Sequence, residues 1–222
     1  MYMLYRLREL GLSARVIEKA SDVGGTWYWN RYPGARCDTD TMEYSYSFCE
    51  ELQQEWEWST RYPTQPEILH YINHVADRFD LRRDIEFETR IKSAHYDDAT
   101  SRWDVITDRG SRATATHLVL ATGNLSTPQL PKIDGVADFA GRSFHTGAWP
   151  HDGVDFSGHR VGIIGTGSSA VQAIPKIAEQ ADHLTVFQRT ANFSIPAHHG
   201  PLDSTERDAK KARYDEIRAS AN

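Results

Sequence analysis

Residues Val161–Ala170, VGIIGTGSSA, constrain the chain more than any other stretch. The apolar run Val161-Gly162-Ile163-Ile164 reads as a strand, Gly165-Thr166-Gly167-Ser168-Ser169-Ala170 as a tight bend, and helical spacing follows from Val171. A strand, a glycine-rich bend and a helix in succession make a turn that receives a dinucleotide pyrophosphate. The first glycine permits the bend, the second lets backbone N–H groups approach the phosphates, and the small Ala170 allows close packing of helix on strand. A GxGxxA pattern alone is a weak signal. Here a second strand, His183-Leu184-Thr185-Val186-Phe187-Gln188, stands at the distance that closes a βαβ unit, and Gln172 on the intervening helix joins the cofactor-facing set.

The residue after that second strand selects the nucleotide. An acid there would accept hydrogen bonds from a ribose 2′-OH, whereas a 2′-phosphate needs a cation. The chain has Arg189 followed by Thr190, and a guanidinium can fork onto a phosphate, so the reading is NADP(H). The competing reading leaves Arg189 as an ordinary solvated charge.

Part of a second such unit lies at the N-terminus. Tyr2–Leu10 has helical apolar spacing, Gly11 suits a helix end, and Ser13–Ile17 reads as a short strand ending at Glu18. Glu18 then stands where a ribose-binding acid belongs, which suits a nucleotide without a 2′-phosphate. It can equally form a plain solvated pair with Lys19. The strand and glycine turn that open such a unit are expected ahead of Met1. The fold class is α/β, with tandem Rossmann-like dinucleotide-binding domains, both incomplete. Their expected bounds are 1–140 for the first and 141–200 for the second, with a polar helical tail at 201–222.

Between these pieces, residues 21–60 are rich in glycine and aromatics, as ligand-lining loops are. Pro66 opens a predicted helix running to about Phe79, on the spacing of Ile68, Leu69, Ile72, Val75 and Phe79. Ile85–Tyr96 and Arg102–Thr107 are predicted strands joined by the turn Asp97–Ser101. His117–Ala121 is predicted as a buried strand, and its end, Ala121-Thr122-Gly123, should approach a nucleotide, because ligands gather at strand carboxyl ends. Asp203–Ser220, full of charges and nearly without an apolar face, reads as a solvated helix or frayed tail with nothing to pack on.

Composition narrows the classes further. The 222 residues are 39% hydrophobic and 25% charged, enough for one sizeable core or two small ones. A net charge of −6 argues against nucleic acid or an anionic membrane as partner. Apolar runs fall well short of the roughly 18 residues of a membrane span, and the basic stretch and apolar core of a signal peptide are missing, so a cytoplasmic protein is expected. Cys37 and Cys49 have neither CxxC nor zinc spacing and read as reduced thiols. His70 and His74 share a helix face without a third ligand, and no metal is expected. GxSxG and Walker patterns do not occur, which leaves hydrolase and NTPase readings unsupported.

Residues Glu18–Phe48, EKASDVGGTWYWNRYPGARCDTDTMEYSYSF, together with Phe139, Gly141, His145, Trp149 and Pro150, resemble the Baeyer–Villiger monooxygenases. The family fingerprint FxGxxxHxxxW followed by Pro or Asp is met at those five positions. Related flavin-containing N- and S-oxygenases usually lack the Trp-Pro ending. The resemblance implies bound FAD and NADP(H), and a reduced flavin that uses O₂ to convert a ketone into an ester or lactone. It implies that Gly25, Thr26, Trp27 and Trp29 flank the flavin, with backbone N–H groups around Gly24-Gly25-Thr26 available for polar contacts, and that Tyr44 contacts it. Asp38 would sit near the isoalloxazine and position a catalytic arginine that the family carries beyond the stretch covered here. Arg36 and Cys37 would lie on the nicotinamide side, and Ile91 would meet the adenine through its backbone, although a plain strand residue explains Ile91 equally well. His145 and Trp149 are expected as hinge and packing residues instead of acid and base. Family members are far longer than 222 residues, so this stretch taken alone is expected to be inactive. The alternatives are a piece of an N- or S-monooxygenase and a non-catalytic NADP-binding module, with oligomeric state and the particular ketone left open.

Overall fold

The computed structural model describes residues 1–220. In chain order the elements are α1 (Tyr2–Glu9), β1 (Val16–Ile17), α2 (Thr26–Trp29), α3 (Glu50–Glu55), α4 (Gln65–Arg78), β2 (Ile85–Glu86), β3 (Ile91–Asp97), β4 (Arg102–Thr107) and β5 (Arg112–Ala115). After a long irregular stretch come β6 (Arg160–Ile164), α5 (Ser168–Ala178), β7 (His183–Phe187), α6 (Ser204–Lys211) and α7 (Tyr214–Ser220). Two compact units form. One joins Met1–Tyr28 to Ile72–Ser126, the other joins Trp29–Tyr71 to the chain from Thr127 onward. The units therefore interleave in sequence.

In the first unit α1 buries Leu4 and ends where Gly11 takes φ +69°. The amide of Leu12 donates to Leu7 O and that of Gly11 to Arg8 O, each at 2.9 Å, the pairing that satisfies the last carbonyls of a helix. Arg8 ties this helix down by donating Nε to Asp84 Oδ2 at 2.6 Å and Nη1 to the carbonyls of Phe79 and Asp80. Val75, Ala76 and Leu81 complete a small core. β1 and β2 pair in parallel, Val16 with Ile85 and Ile17 with Glu86. β3, β4 and β5 form an antiparallel meander, and Tyr96 packs across the strand pair on Trp103 at 5.4 Å.

Two expectations are corrected here. Ile85–Tyr96 is not one strand, because the chain bends between β2 and β3 with Glu88 at φ +51°. The bend is held by amides of Glu88 and Thr89 donating to Ala20 O and Glu18 O at 2.8 and 2.9 Å, with Thr89 fully buried. Nor is His117–Ala121 a buried strand. A strand exists by pairing its backbone. Among the described residues none pairs with this run, and Val119 and Leu120 are 56% and 72% exposed.

The second unit contains a complete βαβ turn. β6 and β7 pair in parallel through five residues, from Arg160 opposite His183 to Ile164 opposite Phe187. α5 begins at Ser168, three residues earlier than its apolar spacing suggested, because Val171 N–H already donates to Gly167 O at 3.0 Å. Its inward residues Ala173 and Ile177 join Tyr32, Ala35, Trp149 and Phe156 in one core. A second, aromatic cluster surrounds Tyr71. Its ring lies 5.1 Å from Trp56 and 5.0 Å from Trp58, its hydroxyl accepts from Tyr46 N–H at 2.9 Å, and burial pushes its phenol upward. The charged tail, expected to have nothing to pack on, is docked through one aromatic anchor: Tyr214 is 5% exposed. One buried residue, Tyr214, in a helix with Ile217 half-buried leaves little trace in a periodicity search.

Candidate dinucleotide site

The turn between β6 and α5 is built for close approach. Gly165 takes φ +104°, which an L side chain rarely adopts, and no protein atom lies within 4 Å of a Cβ placed on either Gly165 or Gly167. Gly167 caps α5 without any side-chain hydrogen bond, and the first turn of the helix contains no acid. The first amides of α5 and the positive end of its dipole thus face open space, which is the physical requirement for holding a pyrophosphate. Ser168 is exposed, while Ser169 and Ala170 are half-buried at the start of the helix.

Thr166 is held from the end of β7 by residues that the sequence did not single out. Gln188 Nε2 and Asn192 Nδ2 both donate to Thr166 Oγ1, at 2.9 and 3.2 Å, and Asn192 also donates to Thr166 O at 3.0 Å. These bonds tie the glycine turn to the strand that presents Arg189 and Thr190, both exposed. Asn192 stands five positions past the end of β7, where strand periodicity carries no signal.

Gln172, grouped with the cofactor-facing residues, is engaged inside the protein. Its Oε1 accepts from Tyr32 Oη at 2.9 Å and from Arg36 N–H at 3.1 Å, while its Nε2 donates to Arg36 O at 3.1 Å. Gly34 presses on the same helix. At φ +80°, a Cβ there would stand 2.4 Å from Gln172 O, so only glycine fits. The loop carrying Arg36, Cys37 and Asp38 is therefore fastened to the glycine-turn helix by three hydrogen bonds and one backbone contact. Cys37 is 5% exposed, its Sγ accepts from Thr39 N–H at 3.4 Å, and burial pushes the thiol up. Asp38 and Tyr44 are exposed on the same loop, and Trp29 stacks edge-on with His151 at 5.8 Å. Cys37 and Cys49 are both unbridged.

The fingerprint residues divide by task. Trp149, 7% exposed, packs between Phe144 and Phe156 at 5.5 and 6.2 Å and reaches the core shared with Tyr32 and α5. Pro150 follows it, half-buried. His145 Nδ1 accepts from Gly147 N–H at 3.0 Å and caps the short turn Thr146–Ala148, so in its neutral form the ring proton sits on Nε2. Gly141 lies under the ring of Phe139, where an added Cβ would come within 2.6 Å.

In the first unit Glu18 stands at the end of β1 and accepts from Ala20 N–H through Oε1 at 2.8 Å. The Gly24-Gly25 bend has φ +131° and +51°, and it opens α2 by accepting from the amides of Trp27 and Tyr28. Gly25 and Thr26 are exposed and Trp27 is half-buried. Ile91, 36% exposed, pairs with Thr107 beside a bulge, and Ala121, Thr122 and Gly123 are exposed, with Gly123 at φ +71°. Among the described residues no group of three potential metal ligands occurs, and no helix is long and apolar enough to cross a membrane.

Known proteins carry the same arrangement. The profile of the pyridine nucleotide-disulphide oxidoreductase family matches residues 2–201. A Baeyer–Villiger monooxygenase of Pseudooceanicola batsensis is 53% identical over 98% of the chain. The chain belongs to the pyridine nucleotide-disulphide oxidoreductase family, and its relatives include Baeyer–Villiger monooxygenases. It spans about two fifths of such a relative, 40% in that case. A solved structure described as an oxidised steroid monooxygenase bound to NADP superposes with a TM-score of 0.92 at 60% identity, over 97% of this chain and 41% of that one. A phenazine N-monooxygenase of Lysobacter antibioticus is 51% identical over 88% of the chain and 36% of its own length. The Baeyer–Villiger fingerprint and the family's Rossmann-type α/β architecture are thus present together in these residues.

Proposed function

We propose that the protein carrying this chain is an FAD- and NADPH-dependent monooxygenase that converts a ketone into an ester or lactone. One oxygen atom of O₂ enters the product, the other leaves as water, and NADPH with one proton supplies the electrons. The observation that carries the reading is the open glycine turn beside Arg189, in a chain 53% identical to a Baeyer–Villiger monooxygenase. The residues fit a dinucleotide there: the amides at the start of α5 for the pyrophosphate, and Arg189 with Thr190 for the 2′-phosphate.

For FAD the residues assigned are Glu18, Gly25, Thr26, Trp27, Trp29, Tyr44, Ile91 and Ala121–Gly123. When bound, the flavin supplies hydride acceptance and oxygen activation. The chain's own residues bind and orient. Asp38, exposed on a loop fastened to α5, offers a carboxylate to hold a guanidinium, and Arg36 and Cys37 shape the wall beside it. His145 is tied into a turn through Nδ1 and Trp149 into the core, which supports positioning over proton transfer for both. A cytoplasmic setting accords with two unbridged cysteines.

A second reading rests on the phenazine N-monooxygenase, whose identity of 51% is nearly as high. Offering the full-length protein a cyclic ketone and a phenazine in parallel with NADPH separates the two. Lactone without N-oxide supports ketone oxygenation; N-oxide without lactone replaces it by heteroatom oxygenation.

A further inference from the structure

The segment Asp203–Ser220 has no part in the proposed chemistry, yet it is held in place. Asp203 caps α6 by accepting from the amides of Thr205 and Glu206 at 2.9 and 3.3 Å. The two helices then meet the loop Asp40–Ser45 at three points. Lys210 Nζ donates to Asp40 Oδ2 at 3.1 Å. For that ammonium, burial pulls the pKa down, but the hydrogen bonds and charges of Asp40 and Glu206 together raise the group above its usual range. Tyr214 Oη donates to Met42 Sδ at 3.6 Å. Arg218 donates Nη1 to Glu43 O at 2.7 Å, and Nη2 to Ser45 O and Oγ at 2.9 and 2.8 Å.

One guanidinium thus grips the carbonyls on both sides of Tyr44. The loop is also braced from within. Asp40 Oδ1 accepts from Met42 N–H at 3.1 Å, and Asp40 O accepts from the amides of Glu43 and Tyr44 at 3.0 Å. Thr41 and Met42 are buried, whereas Tyr44 is 41% exposed and Asp38 is exposed just ahead of it. The inner side of the loop is fixed and its outer side is presented.

We infer that α6 and α7 form a positioning clamp, with Arg218 as its principal residue, that sets Tyr44 and the neighbouring Asp38 for the flavin-side chemistry. The inference rests on the assignment of Tyr44 and Asp38 to the flavin. Lysine cannot replace Arg218, since a point charge cannot bracket two carbonyls as a planar fork does.

The test uses the full-length protein with FAD bound, comparing Arg218→Ala, Arg218→Lys and Arg213→Ala. Arg213 lies in the same segment, paired on the surface with Glu216 at 2.8 Å, and serves as control. For Arg218→Ala we expect kcat to fall on the order of ten-fold, the cost of a modest misplacement. The visible circular dichroism of the flavin should change with it, while the KM for NADPH stays unchanged. Arg218→Lys should recover little, and Arg213→Ala should match the parent. A lower melting temperature with kcat per bound flavin and the dichroism unchanged overturns the clamp. Should Arg218→Ala fail to fold, Lys210→Met gives a smaller change of the same kind, or its absence overturns the proposal. Tyr44→Ala separates the two assignments. If it alters neither spectrum nor kcat, the flavin assignment fails; if it alters both and Arg218→Ala does not, the clamp alone fails.

Discussion

The two nucleotide-binding regions of this chain are built on the same plan and differ in where their partners lie. From Arg160 to Phe187 the second region is continuous: strand, glycine turn, helix and parallel strand, with five residue pairs in register. In the first region β1 meets β2 through only two pairs, and the partners lie far apart in sequence. Its run Leu118–Ala121, as apolar as β6, stays unpaired, with Val119–Ala121 exposed. Equal hydrophobicity therefore does not give equal structure. An apolar run becomes a strand only where a neighbouring backbone takes its hydrogen bonds.

The comparison also separates glycines that serve packing from glycines proposed to make room for a ligand, and substitutions can break it. The largest expected effect is at the core of the second unit. Trp149→Ala should cost about 3–5 kcal/mol in urea unfolding, the usual range for emptying a buried aromatic site. A cost below about 1 kcal/mol would mean that the cluster around Tyr32 and α5 does not hold the unit together. Next comes Gly34→Ala, at φ +80° and against Gln172 O. A loss of about 2–4 kcal/mol is expected from strain and overpacking together.

Arg189→Ala should raise the KM for NADPH by roughly 10- to 100-fold and leave that for NADH unchanged, because a forked contact to the 2′-phosphate is lost. Equal effects on both nucleotides would return Arg189 to a solvated charge. Gly167→Ala sharpens the contrast with Gly34. At φ −73° and with nothing near its Cβ, alanine should change stability by less than about 0.5 kcal/mol. It should nonetheless weaken NADPH by roughly ten-fold, since the methyl group occupies the ligand's space. The smallest effect concerns chemistry at sulfur. Buried Cys37, with its thiol pushed up, should be alkylated more slowly by iodoacetamide at neutral pH than half-exposed Cys49, as peptide mapping would show.

Legibility followed the range of the interactions. The glycine turn, α4 and the hairpin β3–β4 rest on neighbours in sequence, and their residues announced them. The bond set of Gln172 joins residues on opposite sides of the chain's middle, and no spacing rule links Tyr32 or Arg36 to it. The break between β2 and β3 depends on amides reaching Ala20 and Glu18, again outside any local window. The tail misled for a related reason. Its charges suggested solvation, but Lys210 and Arg218 spend theirs on Asp40 and on two backbone carbonyls, and Tyr214 supplies the apolar contact. The fingerprint announced a family without announcing its physics. Trp149 packs, His145 caps a turn, and Gly141 makes room for Phe139.

The central claim is that this chain belongs to an enzyme that places oxygen from O₂ beside a ketone carbonyl at the expense of NADPH. The direct measurement is a turnover of the full-length, FAD-loaded protein with a cyclic ketone under ¹⁸O₂, with the product read by mass spectrometry. The claim predicts a lactone carrying one ¹⁸O atom, formed with NADPH in far higher yield than with NADH. Consumption of NADPH without labelled lactone, or label appearing only from H₂¹⁸O, would contradict it.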